Sequence, residues 1–101
     1  MNNTKWSEIF KTFYKNECDA GVKIYWRTKD TETGYLSSWD ATWSHFGCEP
    51  HEWKFIDYLQ IQLTPENKKF VISTLKLIHV PGKIVDDIVT VYGYKNDVDY
   101  L

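Results

Sequence analysis

Long apolar runs are missing from this chain. The nearest candidate, Ile84 to Val91, is interrupted by Asp86-Asp87, and a membrane-spanning helix needs ~18 consecutive apolar residues. No membrane partner is therefore expected. Cysteine is scarce: Cys18 and Cys48 are the only two, too few for a disulfide framework, so reduced thiols are the simpler expectation. The opening Met1-Asn2-Asn3-Thr4-Lys5-Trp6 carries no apolar signal-peptide core, so secretion by that route is not expected and a cytoplasmic location is. Glycine-rich phosphate loops are absent. Arginine occurs once, at Arg27, a poor electrostatic footprint for nucleic acid, which is accordingly an unlikely partner.

What the chain does have is aromatic side chains and segregated charge. Its 101 residues, 43% hydrophobic and 26% charged, suit one globular domain spanning 1–101 with a single modest core. Five tryptophans, seven tyrosines and five phenylalanines contribute 17% of the residues. Between Trp39 and Trp53, three tryptophans stand beside Asp40, Glu49, Glu52, His45 and His51. Large rings beside charge recur where proteins grip partners, because a ring offers much contact area for few rotamers lost. A small domain also needs large side chains simply to fold.

The net charge of −2 conceals four blocks. Residues 1–38 sum to +1, 39–66 to −4, 67–85 to +4 and 86–101 to −3. The aromatic stretch is thus also acidic, a surface that repels phosphate backbones and attracts a basic protein.

Periodicity places the elements. Trp6, Ile9, Phe10 and Phe13 recur at helical spacing, which predicts a helix over about 4–15 capped by Asn3 or Thr4. Val22, Ile24 and Trp26 alternate with polar neighbours as in a half-buried strand over 22–28, and a loop ending at Gly34 leads to a second strand over 35–39. Residues 40–49 show no clean period and read as a loop with a short turn, with a brief helix following Pro50 around 51–54. Leu59, Ile61 and Leu63 mark a third strand over 58–63. Thr64-Pro65 opens a helix over 65–78 that Pro81-Gly82 stops, and Ile88 to Tyr94 forms the last strand. The expected fold class is α+β: about four strands in a largely antiparallel sheet, with two main amphipathic helices on one face. The direction of the last strand is left open.

Chemistry-bearing clusters are weak. His45, Cys48 and His51 have a spacing that a transition metal could use, but no second ligand pair accompanies them, so no metal is expected there. Cys48 with His45 lacks an orienting third group, and Glu49/Glu52 and Asp86/Asp87 read as solvated carboxylates. No catalytic residue and no cofactor is assigned, and the chain is not expected to be an enzyme. A nucleic-acid module would draw on Lys23, Arg27, Lys29 and the lysines near 68–76, with Tyr25 or Tyr35 stacking on bases.

The segments Asn2-Asn3-Thr4-Lys5-Trp6, Trp26-Arg27-Thr28-Lys29-Asp30 and Trp39-Asp40…Trp43…Phe46-Gly47 resemble a family of small uncharacterised bacterial proteins. In size, acidity and aromatic content the chain is also similar to immunity proteins that neutralise bacterial toxins. That second resemblance implies a cytoplasmic inhibitor covering the basic cleft of a nuclease-like toxin. The expected partner-binding residues are Trp39, Asp40, Trp43, Glu49, Glu52, Trp53, Asp86 and Asp87. The alternatives are a phage or bacterial regulatory protein that binds a host protein, and a nucleic-acid-binding module.

Overall fold

A computed structural model of the chain describes residues 1–47, 53–95 and 97–101. Helix α1 spans Asn3–Cys18, strand β1 Trp26–Asp30, a 3₁₀ turn Trp43–Phe46, strand β2 Ile56–Gln62, helix α2 Lys68–Ile78, and strands β3 and β4 Gly82–Val85 and Ile88–Tyr92. The four strands form one antiparallel sheet in the order β1-β2-β4-β3. The α+β class read from the sequence is the fold observed.

Helix α1 begins on a side-chain cap, Asn2, one residue earlier than expected, whose Oδ1 accepts the Lys5 N–H at 2.9 Å. The turn that leads into α2 is closed reciprocally. The Asn67 N–H donates to Thr64 Oγ1 at 3.1 Å and the Thr64 N–H donates to Asn67 Oδ1 at 2.9 Å, a capping box with asparagine as its second member. Asn67 is fully buried. Its Nδ2 donates to the carbonyls of Lys23 and Gln62, both at 3.1 Å, so one side chain joins the helix start to two extended segments. Helix α2 starts at Lys68, three residues later than expected, and ends at Ile78 as expected, with His79 in the left-handed region at φ 65° closing it. Pro81-Gly82 is thus not the stop signal; it leads into β3.

The expected strand over 35–39 does not form. This segment runs back along the outer edge of β1 and touches it through isolated bridges, Lys29 to Leu36 and Trp26 to Asp40. The two bridges differ in register by one residue. Between them the Thr28 N–H donates to Ser37 Oγ at 3.0 Å instead of to a backbone carbonyl. Serine hydroxyls compete in this way with the regular ladder. The fourth strand is instead β3, where the Asp86-Asp87 interruption is the two-residue turn of a hairpin pairing Val85 with Ile88. Asp86 takes φ 55° there, a conformation aspartate tolerates better than most residues. Gly82 is required by contact: a Cβ at this position would lie 2.4 Å from the Thr90 carbonyl oxygen.

Pairing fixes which side chains share a face. Trp26, Ile61 and Val89 lie in one cross-strand row and Leu59 and Val91 in the next. All five are buried in a core shared with Trp6, Ile9 and Phe13 of α1 and Val71 and Leu75 of α2. Both helices therefore cover this face. Among the described residues, the opposite face of the sheet carries no helix.

Because the buried Asn67 side chain satisfies three backbone groups, the Thr64 N–H and the Lys23 and Gln62 carbonyls, Asn67→Ala is expected to cost about 3 kcal/mol, more than a typical hydrogen bond. Asn67→Asp should be no better tolerated, since it replaces the two donors with acceptors facing carbonyls. Urea denaturation of both variants measures this.

Candidate functional site

The structure divides the expected partner-binding residues. Trp43 is 1% exposed and Trp53 3%. Their ring N–H groups donate inward, to the Ile24 carbonyl at 3.1 Å and the Phe46 carbonyl at 3.3 Å. Assigning them to a partner surface is therefore corrected: both are core. The reason is the 3₁₀ turn, which buries Trp43 and Phe46 three residues apart, a spacing with no strand or long-helix period to reveal it. The Trp43 N–H is held from the other side by Glu17 Oε1 at 2.6 Å.

Trp39 and Asp40 remain at the surface, half-buried beside the outer edge of β1. The Arg27 guanidinium lies 4.4 Å from the Trp39 ring centroid, a cation–π contact. Asp40 Oδ1 accepts the Thr42 N–H at 2.7 Å, and Oδ2 pairs with His45 Nδ1 at 2.8 Å. An ionised carboxylate can only accept, so Nδ1 carries the proton in this pair. Burial alone would raise the Asp40 carboxyl, but the Thr42 N–H and the His45 ring outweigh it and hold it below the ordinary carboxylate range. Asp40 thus has two internal partners.

Asp86 and Asp87 are exposed at the β3–β4 turn, where the Asp87 carbonyl accepts the Leu63 N–H at 2.7 Å. Ile84 and Val85 just before them are 39% and 53% exposed. In the order β1-β2-β4-β3 this turn and Asp40 lie at opposite edges of the sheet. Asp86 and Asp87 are thus set apart from Trp39 and Asp40. Glu49 and Glu52 lie outside the described residues, as do the short helix expected around 51–54 and two of the three potential metal ligands, Cys48 and His51. No group of three or more His, Cys, Asp or Glu side chains that could hold a metal occurs among the described residues.

A different surface emerges on the helix-free face of the sheet. In one row Arg27, Gln60, Thr90 and Lys83 stand opposite one another. Arg27 Nε donates to Gln60 Oε1 at 2.7 Å, and Gln60 Nε2 donates to Thr90 Oγ1 at 3.3 Å. In the next row Lys29, Tyr58 and Tyr92 are in register. Lys29 Nζ lies 5.8 Å from the Tyr58 ring centroid, and Lys95 Nζ lies 5.0 Å from that of Tyr92. These two rows hold cations, rings and neutral polar groups and no acid. Sequence reasoning placed Arg27 and Lys29 in a nucleic-acid alternative but joined them to Lys23 and the helix lysines instead of to this face, although a signal was present: these residues occupy the strand positions out of phase with Trp26, Leu59, Ile61, Val89 and Val91.

Two expectations follow for stability. Trp43→Ala should cost roughly 3–5 kcal/mol by opening the core, whereas Trp39→Ala should cost about 1 kcal/mol, the order of a partly exposed cation–π contact; chemical denaturation separates them. The Asp40 carboxyl is lowered in the fold, so its contribution is present above the unfolded value near 3.9 and is lost as pH falls through the folded one. Asp40→Asn should accordingly flatten the acid limb of melting temperature against pH.

No match was found among curated proteins or among solved structures. Among the described residues no helix is long and apolar enough to cross a membrane. A family model matches residues 1–98, and the chain belongs to that family, one of unknown function designated DUF6678.

Proposed function

We propose that the chain is a protein-binding inhibitor, and that in its sharpest form it is a cytoplasmic immunity protein neutralising a basic, nuclease-like bacterial toxin. The observation that carries this reading is the tip of the β3–β4 hairpin. Exposed Ile84 and Val85 sit directly before exposed Asp86 and Asp87. Ile84 pairs with Val89 and Val85 with Ile88, so the two side chains project from opposite faces of the hairpin, and either one beside the two carboxylates combines apolar contact with attraction for a basic partner. The strand pairing of Val85 with Ile88 and the bond from Leu63 to Asp87 fix the turn before any partner arrives, which lowers the ordering cost of association. Among the described residues expected at the partner surface, Asp86 and Asp87 are the pair exposed together.

Affinity capture with the tagged chain, followed by a nuclease assay of the captured protein with and without it, tests the reading. The expected result is one basic protein whose nucleic-acid cleavage the chain suppresses. Asp86→Asn/Asp87→Lys should abolish suppression and leave the melting temperature within a few degrees of the parent, since asparagine keeps the left-handed turn position. Suppression that survives this double change removes the hairpin as the binding site.

A further inference from the structure

The helix-free face differs in chemistry from the chain as a whole, and Val85 of the hairpin tip borders it, two positions along β3 from Lys83. The protein carries a net charge of −2. The two rows across the sheet present Arg27, Lys29 and Lys83 with Lys95 above, and none of their paired positions is acidic. Arg27 and Lys29 lie on the same strand two positions apart, so their cationic groups follow one edge of the sheet. Trp39 and Tyr58, both half-buried, flank that strand on its two sides. Between the cations lie half-buried Gln60 and buried Thr90, hydrogen-bonded to each other.

We infer that this face binds single-stranded nucleic acid. The occupant follows from charge and shape together. A row of cations alone would suit any polyanion, including an acidic polypeptide. Rings set among the cations favour a ligand that alternates negative charge with flat π-faces, as a single strand does with its phosphates and bases. A four-stranded sheet left open on one face leaves space for bases to lie against it, while a duplex keeps its bases stacked internally and offers the rings nothing. The net acidity of the chain does not oppose this, because binding depends on the local field within about a Debye length, ~10 Å at 0.1 M salt. Arg27 is pre-set for the role: Gln60 fixes its Nε from one side and the Trp39 ring supports its plane.

Fluorescence anisotropy with labelled 12-nucleotide oligouridine, oligothymidine and a 12-base-pair duplex tests the inference. At 50 mM salt either single strand should bind with a dissociation constant on the order of 1–100 µM, in the range of sequence-independent contacts. The duplex should bind more weakly. Lys29→Glu/Lys83→Glu should weaken single-strand binding more than tenfold. Lys68→Glu/Lys76→Glu, the same charge change on the helix covering the other face, should change it less than twofold. Trp39→Ala should weaken it roughly tenfold by removing a stacking surface, with circular-dichroism melts confirming that each variant folds. The inference is overturned if neither strand binds at 50 mM salt, if the duplex binds as tightly as the single strands, or if both lysine pairs lose affinity equally. Tighter binding of a 12-residue polyglutamate peptide than of either oligonucleotide also overturns it and assigns the face to an acidic protein segment.

Discussion

The packing of aromatic rings around Phe46 is the interaction on which the rest of this small fold depends. Its ring centroid lies within 6.5 Å of those of Trp6, Phe10, Trp26, Trp43 and Trp53. These rings come from α1, β1, the 3₁₀ turn and the segment leading into β2. A chain of 101 residues has few positions to bury, and this cluster obtains a large apolar area from few residues. It also accommodates imperfection. The Trp26 ring N–H is buried without a hydrogen-bond partner among the described residues, and an unmet donor of this kind costs on the order of 1–3 kcal/mol. Trp43 and Trp53 avoid that cost by donating to backbone carbonyls, and those bonds also tie an otherwise irregular loop to the core.

How much of this was legible in the sequence depended on whether one regular period decided the matter. Helix α1, strand β2, helix α2 and strand β4 each repeat apolar residues at a single spacing over two or more turns or pleats, and all four were located to within a few residues. Residues 35–39 alternate well enough to suggest a strand, but Ser37 took over a ladder position with its hydroxyl. The β3–β4 hairpin was hidden by its own turn, since two aspartates in sequence look like a break until the pairing of Val85 with Ile88 is known. Trp43 and Trp53 were the hardest to place. Their burial is decided by rings arriving from distant parts of the chain, and no local pattern encodes that.

Charge was misleading for a related reason. Summed along the chain, it separates into blocks, and the acidic blocks suggested one acidic surface. Folding places Asp40 and the Asp86-Asp87 turn at opposite edges of the sheet and brings Arg27, Lys29 and Lys83, from different blocks, onto one face. Strand pairing, which joins residues up to 63 positions apart in the row from Arg27 to Thr90, sets the electrostatics that a partner meets. Linear charge counts describe solubility and overall attraction better than they describe a site.

The last residues of the chain have a bearing on how copies of this protein behave together. The Gly82 N–H, on the outer side of β3, donates to the Asp99 carbonyl at 2.9 Å, and the Leu101 N–H donates to the Val80 carbonyl at 2.9 Å. Backbone groups on a strand alternate sides with a period of two, so beyond Gly82 only Ile84 turns its N–H and carbonyl outward before the hairpin closes. An open sheet edge is a template for growth by another molecule's strand. Here residues 99–101 take its first position, and only the Gly82 carbonyl and Ile84 stay open, a stretch too short for a regular ladder with another molecule's strand.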